Sequence, residues 1–400
     1  MEKNRRELLR SLGALVIAIV FLNGGSLAGP MDIGGQLNVT ETGAATFNIP
    51  IAVPPGTAGI APALSLNYTS QGGNGLLGMG WSLGGLSAIY RCGRTLIQDG
   101  AKDGVNYNAN DKYCLDGQRL VAVTGAYGAN ATEYRTERES FTKVISYGTA
   151  GSGPAYFKAW TKAGQIIEFG NTTDSAIEAQ GKTDIRLWAA NKISDTKGNY
   201  LTLSYTEDNA NGDYQPNRID YTGNASAGLT PYNSVRFVYQ TRTDITPMYQ
   251  AGSVSKTMLR LANVQTYAKV GAADTLVKDY RLTYDASAAT QRSRVTSLTE
   301  CAGDSTCLPA KTVGWQEGGD GTFGARIRTG DGANFSGINR TLGDVNGDGK
   351  TDVILQDPGS EYTYVRLSNG DGTFGARIRT GDGANFSGIN RTLGDVNGDG

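Results

Sequence analysis

Residues 43–70 read GAATFNIPIAVPPGTAGIAPALSLNYTS, and their alternation decides the fold class. Phe47, Ile49, Ile51 and Val53 alternate with small or polar residues, Pro54, Pro55 and Gly56 impose a turn, and Leu64, Leu66 and Tyr68 resume the alternation. A period of two sets one face of each segment against a core, the mark of half-buried β-strands. The following stretch, GNGLLGMGWSLGGLSAIYR at 73–91, packs glycines around Trp81, as expected where backbones approach closely and an indole fills the space.

The same pattern continues outward in YFKAWTKAGQIIEFG (156–170), RLWAANKISDTKGNYLTLSY (186–205), SVRFVYQTR (234–242) and LVKDYRLTYD (276–285). These segments break at Gly, Asn and Asp at intervals suited to hairpins. Past the first 28 residues no stretch of useful length has helical periodicity, so an all-β chain is expected. Its 400 residues, with 56 Gly, 20 Tyr and a formal net charge of −1, describe a soluble, glycine-rich chain of more than one domain. No charge excess would attract nucleic acid. The clearest punctuation is VGWQEGGDG at 313–321.

Beyond it, Gly319–Gly349 recurs identically as Gly370–Gly400, 51 residues on, and each copy ends in DVNGDG. In the first copy Asp344, Asn346, Asp348 and Asp352 occupy positions 1, 3, 5 and 9 of a loop; Lys350 at position 7 can offer its main-chain carbonyl, while Gly347 and Gly349 let the backbone curl. Three carboxylates, an amide and a carbonyl suit a hard cation of adaptable coordination, so calcium is expected ahead of magnesium. An EF-hand is excluded by Leu355 at position 12 and by the strand-like VILQ that follows. An Asp/Asn/Gly turn without metal is the competing reading, because turns favour the same residues. Asp395, Asn397 and Asp399 repeat the first three ligands in the second copy, and the chain stops inside that loop, as a fragment would. Phe323–Gly324 and GDVNGDGKTD (343–352) resemble the FG-GAP or VCBS type of repeat, which implies a β-propeller with calcium in its inter-strand loops. One blade cannot bury both its faces, so several are expected.

The amino terminus carries Lys3, Arg5, Arg6 and Arg10, an apolar run from Leu12 to Leu22, then small residues with Ser26 and Ala28 before a cleavage point. That is the layout of a signal peptide over 1–28. Sec export is favoured, although NRRELLR resembles a twin-arginine signal. The apolar run falls short of the roughly 20 residues that span a bilayer, so no stable membrane span is expected after cleavage. Pro30 stands where a lipoprotein box would need cysteine. Four cysteines in an exported chain suggest disulfides, and local closure favours Cys92 with Cys114 and Cys301 with Cys307. Zinc is the weaker alternative, since neither pair has CxxC spacing and the chain has no histidine.

GAATFNIPIAVPPGTAGIAPALSLNYTS, GNGLLGMGWSLGGLS, and RCGRTLIQDG through YCLDGQRLVAV (91–123) resemble the amino-terminal domain shared by Salmonella virulence plasmid B protein and the B component of insecticidal toxin complexes. DTKGNYLTLSY and VKDYRLTYD resemble the strands of RHS or YD-repeat shells. The resemblance implies a β-rich shell over 29–316, the opening part of a large cocoon, followed by propeller repeats over 317–400. It further implies a secreted carrier whose partners are other toxin-complex or RHS components, or a host or neighbouring cell surface. The toxic activity would reside in a separate domain.

The absence of histidine removes Ser-His-Asp and Cys-His nucleophile pairs and histidine bases. The resembled virulence protein carries an ADP-ribosyltransferase elsewhere in its chain, and such enzymes use a Glu-x-Glu pair. Glu137 and Glu139 match that pattern, but YRTERESF (134–141) reads as an alternating strand with its charges outward, and no catalytic residue is assigned. A secreted adhesin with a calcium-stabilised propeller remains the alternative of a different class, and a carboxylate enzyme the third.

Overall fold

In the computed structural model, which describes residues 32–315, 339–356, 362–371 and 373–380, the stretch read first forms two paired strands. Ala45–Pro50 and Ser65–Thr69 run antiparallel with Ile49 opposite Leu66, and both side chains are buried. Gln36–Val39 and Trp81–Gly84 flank them to complete a four-stranded sheet. Trp81 lies opposite Tyr68, their ring centroids 5.5 Å apart. The glycines here answer to geometry: at Gly78, with φ 77°, an added Cβ would sit 2.3 Å from the Ser293 carbonyl oxygen. The proposed signal segment and the boundary at 316/317 fall outside the described residues.

Eight antiparallel strands then close on themselves. They are Ala88–Cys92, Lys112–Leu115, Gln118–Thr124, Glu133–Thr136, Lys143–Tyr147, Tyr156–Trp160, Ile166–Phe169 and Ile185–Ser194. Closure comes from the last strand, which pairs Trp188 with Ile89 of the first and Ile166 with its own Ser194. A barrel of eight strands leaves an interior that side chains can just fill. Tyr113, Tyr134, Phe157 and Trp188 fill it with edge-to-face contacts, Phe157 standing 5.1 Å from Trp188 and Tyr113 5.4 Å from Phe157. The buried indole is satisfied, since Trp188 Nε1 donates to the carbonyls of Pro154 and Ala155.

The closing strand has a second use. Beyond its pairing with the barrel, Ile185–Ser194 opens a long antiparallel sheet that continues through Asn199–Asp208, Asp213–Asn224, Asn233–Thr241, Leu259–Val270, Ala273–Ala286, Ser293–Ala302 and Lys311–Thr312. The four-stranded sheet packs on it: Ile49, Leu66, Leu77 and Trp81 share one core with Tyr221, Val235, Leu261, Tyr280 and Val295. Two tyrosines latch the proline turn onto this core, Tyr280 Oη accepting from the Ala52 amide and Tyr221 Oη donating to the Pro54 carbonyl, each at 2.9 Å.

Among the described residues the only α-helix is the single turn Leu96–Asp99, capped by Thr95 and stopped by Gly100 at φ 65°. None is long and apolar enough to cross a membrane. YRTERESF departs from its reading. The strand ends at Thr136, and Glu137, Arg138 and Glu139 form an exposed loop before Lys143–Tyr147. Thr136 Oγ1 turns the chain there by donating to the Arg138 carbonyl at 2.7 Å. The charges do point to solvent, but from a loop.

The repeats form a separate unit. Asn339–Gly343, Asp352–Gln356, Thr363–Arg366 and Ile378–Thr380 pair in sequence order as a four-stranded antiparallel meander. Leu355, where an EF-hand would carry its glutamate, is buried in the second strand beside Ile354. The acidic stretch is thus a loop between strands, as its sequence implied.

Candidate functional site

Gly343 pairs with Asp352, so the acidic residues form the turn between the first two blade strands. Gly347 at φ 72° and Gly349 at φ 78° supply the left-handed conformations that curl it. Asp344 holds the curl: its Oδ1 accepts from the amides of Asn346, Gly347 and Asp348, and its Oδ2 from Gly349 at 2.7 Å. Asp352 is fully buried and staples the loop to its surroundings, accepting from the amides of Val345 at 3.1 Å and Ser368 at 2.7 Å. Asp348 is exposed and accepts from the Lys350 amide at 2.9 Å, with the Lys350 ammonium 3.4 Å from its other oxygen. The amide bond from Lys350 holds the Asp348 carboxyl below its usual range.

The donor types fit a hard cation. Their positions, however, are held by the loop's own amide hydrogens, and among the described residues no three His, Cys, Asp or Glu side chains gather as a metal cluster. Asp395, Asn397 and Asp399 lie outside the described residues.

The cysteines pair as local closure favoured. Cys92–Cys114 joins the first two barrel strands, with Cα atoms 6.0 Å apart, and Cys301–Cys307 closes the turn at the end of Ser293–Ala302.

Two buried ion pairs and one half-buried cluster of acids escaped the sequence reading. Arg91 points into the barrel end, where its Nη1 meets Asp111 at 3.0 Å and its Nε donates to the Ile185 carbonyl at 2.6 Å. A signal existed, because period two places Arg91 on the inward face with Ile89. Arg242 and Asp244 form the second cluster, 2.8 Å apart. Asp244 also accepts from Asn74 Nδ2 and from the amide and hydroxyl of Ser293, tying three distant segments together. Burial opposes ionisation of Asp244, but Arg242, Ser293 and Asn74 outweigh it and hold the carboxyl far below its usual range. The third cluster gathers Glu207, Glu178 and Asp174 where the barrel meets the long sheet. Burial, then the charges of Glu178 and Asp174, push Glu207 up to about 7. These contacts span 20 to 170 residues, so no local pattern in the sequence pairs the partners.

A closed aromatic-filled barrel sharing a strand with a long β-sheet, followed by a blade with an acidic inter-strand loop, defines a β-shell protein carrying propeller-type repeats. The chain belongs to the family described as Salmonella virulence plasmid 65kDa B protein, whose model matches residues 39–256, more than half of its length. Residues 344–400 match the FG-GAP-like repeat. Mono(ADP-ribosyl)transferase SpvB of Salmonella typhimurium (strain 14028s / SGSC 2262) is 26% identical over 203 residues, covering 46% of this chain and 32% of that protein. The SpvB of Salmonella dublin matches to the same extent. The chain therefore spans about a third of the length of these relatives.

Among solved structures, TcdB2-TccC3 is similar over 88% of this chain and 20% of its own, with a TM-score of 0.61 and 20% identity. The N-terminal domain of effector protein SpvB from Salmonella typhimurium strain LT2 is matched over 98% of its length and 64% of this chain, with a TM-score of 0.52 and 20% identity. The fold is that of the toxin-complex shell and of the SpvB amino-terminal domain.

Proposed function

We propose that this chain is the exported, non-catalytic shell and propeller region of a toxin-complex or SpvB-type virulence protein, a carrier that associates with further toxin-complex components, with calcium rigidifying its repeat loops. The observation that carries this reading is the extent of the likeness: the toxin-complex chain is matched over 88% of this one, whereas the SpvB structure it resembles is an N-terminal domain. The exposed loop setting of Glu137 and Glu139 supports the absence of catalysis, since a catalytic carboxylate works through partners that fix its position. For calcium the support is the oxygen donor set of Asp344, Asn346, Asp348, Lys350 and Asp352 in a loop curled by two left-handed glycines. Export rests on the basic, apolar and small-residue order of the first 28 residues.

Incubating the full chain with labelled NAD and candidate protein acceptors tests the central claim. No transfer of label is expected. Transfer that disappears in a Glu137→Gln, Glu139→Gln double variant would replace the carrier with an enzyme.

A further inference from the structure

At the end opposite Arg91 the interior of the barrel changes character. Ile89, Leu120, Tyr134, Val144, Ala159 and Phe169 point inward and are buried. Two residues along each strand the same face continues through Ser87, Gln118, Thr136, Thr142, Thr161 and Ile167. All six line an open cavity of about 240 Å³ whose floor is formed by Ala159 and Phe169. Five of those six are polar, so the aromatic filling of the barrel gives way to a mouth ringed with hydroxyls. Barrel mouths are recurrent small-molecule sites, and this volume lies below the roughly 300–1,000 Å³ of sites for drug-sized ligands, which fits a compact group.

Charge narrows the class of ligand. Asp116 alone among the lining residues is charged. It stands at the rim in the two-residue turn at 116–117, at φ 46°, with Ser87 Oγ donating to its carboxylate at 2.6 Å and the Ala88 amide at 2.9 Å. Those two bonds leave about half of the roughly four acceptor positions of a carboxylate open. Among the described residues Asp116 forms no ion pair. The side chains of Gln118 and Thr142 make no hydrogen bond among those residues either, and neither belongs to the unpaired atoms sealed from solvent, so both keep free acceptors at the cavity. An anion would meet the Asp116 charge and a neutral ligand would leave it uncompensated, while a calcium ion, which takes roughly six to eight oxygens, would find one carboxylate. An ammonium has three donors and no acceptor, and Ile167 with the floor offers an apolar wall to a short stem. We propose that the mouth binds a primary ammonium on a short alkyl stem, as a free amine or a lysine side chain presents it, with the head on Asp116 and the stem against Ile167 and Phe169.

The test is saturation-transfer NMR on the full chain with n-pentylamine and Nα-acetyl-lysine methylamide, beside n-pentanol and valerate as neutral and anionic counterparts. Both amines are protonated at neutral pH. At least one of them should receive more saturation than n-pentanol and valerate, and the better of the two names the source. Asp116→Asn removes the charge and keeps a residue that tolerates the left-handed turn. It should weaken the preferred amine about tenfold with the circular dichroism spectrum unchanged, the loss of one hydrogen bond to a charged group. Gln118→Lys, at an exposed position, places an ammonium of the chain's own in the mouth and should abolish binding. No saturation of either amine would mean that water fills the mouth and would overturn the proposal. Equal saturation of n-pentanol would overturn it too, as would binding unchanged by Asp116→Asn or by Gln118→Lys.

Discussion

The barrel and the repeat blade are both antiparallel sheets, but they solve the problem of an exposed edge and a thin core in opposite ways. The barrel joins its last strand to its first and fills the inside with Tyr113, Tyr134, Phe157 and Trp188. The blade, among its described residues, buries Ile354, Leu355 and Val365 together with the carboxylate of Asp352, and leaves Leu342 65% exposed. A closed barrel carries its stability in its own side chains. An open blade must obtain it from neighbouring repeats and from whatever organises its loops.

The contrast is sharpest at the buried ions. Removing Asp111 leaves the Arg91 guanidinium, whose side chain is 1% exposed, with only the partly exposed Asp184, 3.9 Å away, as a counter-charge at the barrel end. Breaking a buried pair from one side costs about 3–5 kcal/mol. Asp111→Ala should therefore lower the urea midpoint of the barrel unit strongly and leave the blade's own signals unmoved. A loss under about 1 kcal/mol would mean that strand closure, and not the ion pair, holds the barrel end.

Next in size come the disulfides. Cys92–Cys114 closes a separation of 22 residues and should contribute about 3 kcal/mol, while Cys301–Cys307, with a separation of 6, should contribute about 2 kcal/mol. Replacing each pair by serine and comparing unfolding free energies ranks them. Peptide mapping without reduction checks the pairing itself, and alkylated thiols at Cys92 and Cys114 would contradict it.

Calcium probes the other side of the comparison. Extracellular sites of this kind bind with dissociation constants of roughly 0.1–1 mM, so 10 mM calcium would stabilise the repeats by about 1.4–2.7 kcal/mol and leave the barrel unchanged. Isothermal titration of the full chain should show heat that Asp348→Ala removes. Heat that survives that substitution would place the ion elsewhere, and no heat would leave the loop to the amide bonds of Asp344 and Asp352.

Much of this architecture was legible in the sequence because it is written in periods. Alternation at 43–70 and in the later segments located the strands, glycine clusters located the close approaches around Trp81, and the spacing of Asp344 to Asp352 located the inter-strand loop. Barrel closure was not legible, since it depends on one strand, Ile185–Ser194, pairing with segments on both its edges, and nothing local marks a shared strand. YRTERESF misled because the alternation of polar residues is the same in a strand end and in an exposed loop; the Thr136 side chain, bonding to Arg138, ended the strand. The clusters around Asp244 and Glu207 join distant strands, so only the folded register reveals them.

The smallest expected effect sits at the seam between barrel and long sheet. Glu207, on Asn199–Asp208, faces Glu178 from the short strand paired to Ile185–Ser194, with Asp174 and Arg186 nearby and Asn209 as a hydrogen-bonding neighbour. Its carboxyl ionises at about 7 in the fold against 4.5 when unperturbed. A raised acid pKa means the folded state holds its proton longer than the unfolded one. The resulting penalty is absent below the unfolded value, grows as pH rises from 4.5 towards 7, and is constant above. Glu207→Gln keeps the shape and deletes the charge, so it should stabilise the protein at pH 8 by about 1 kcal/mol after allowance for solvent screening of a half-exposed group. At pH 5 most of that gain should vanish. Urea unfolding of both proteins at the two pH values decides the matter: an equal gain at both would assign the effect to packing, and a loss at pH 8 would show that the ionised carboxylate is paired with Arg186 and holds the seam together.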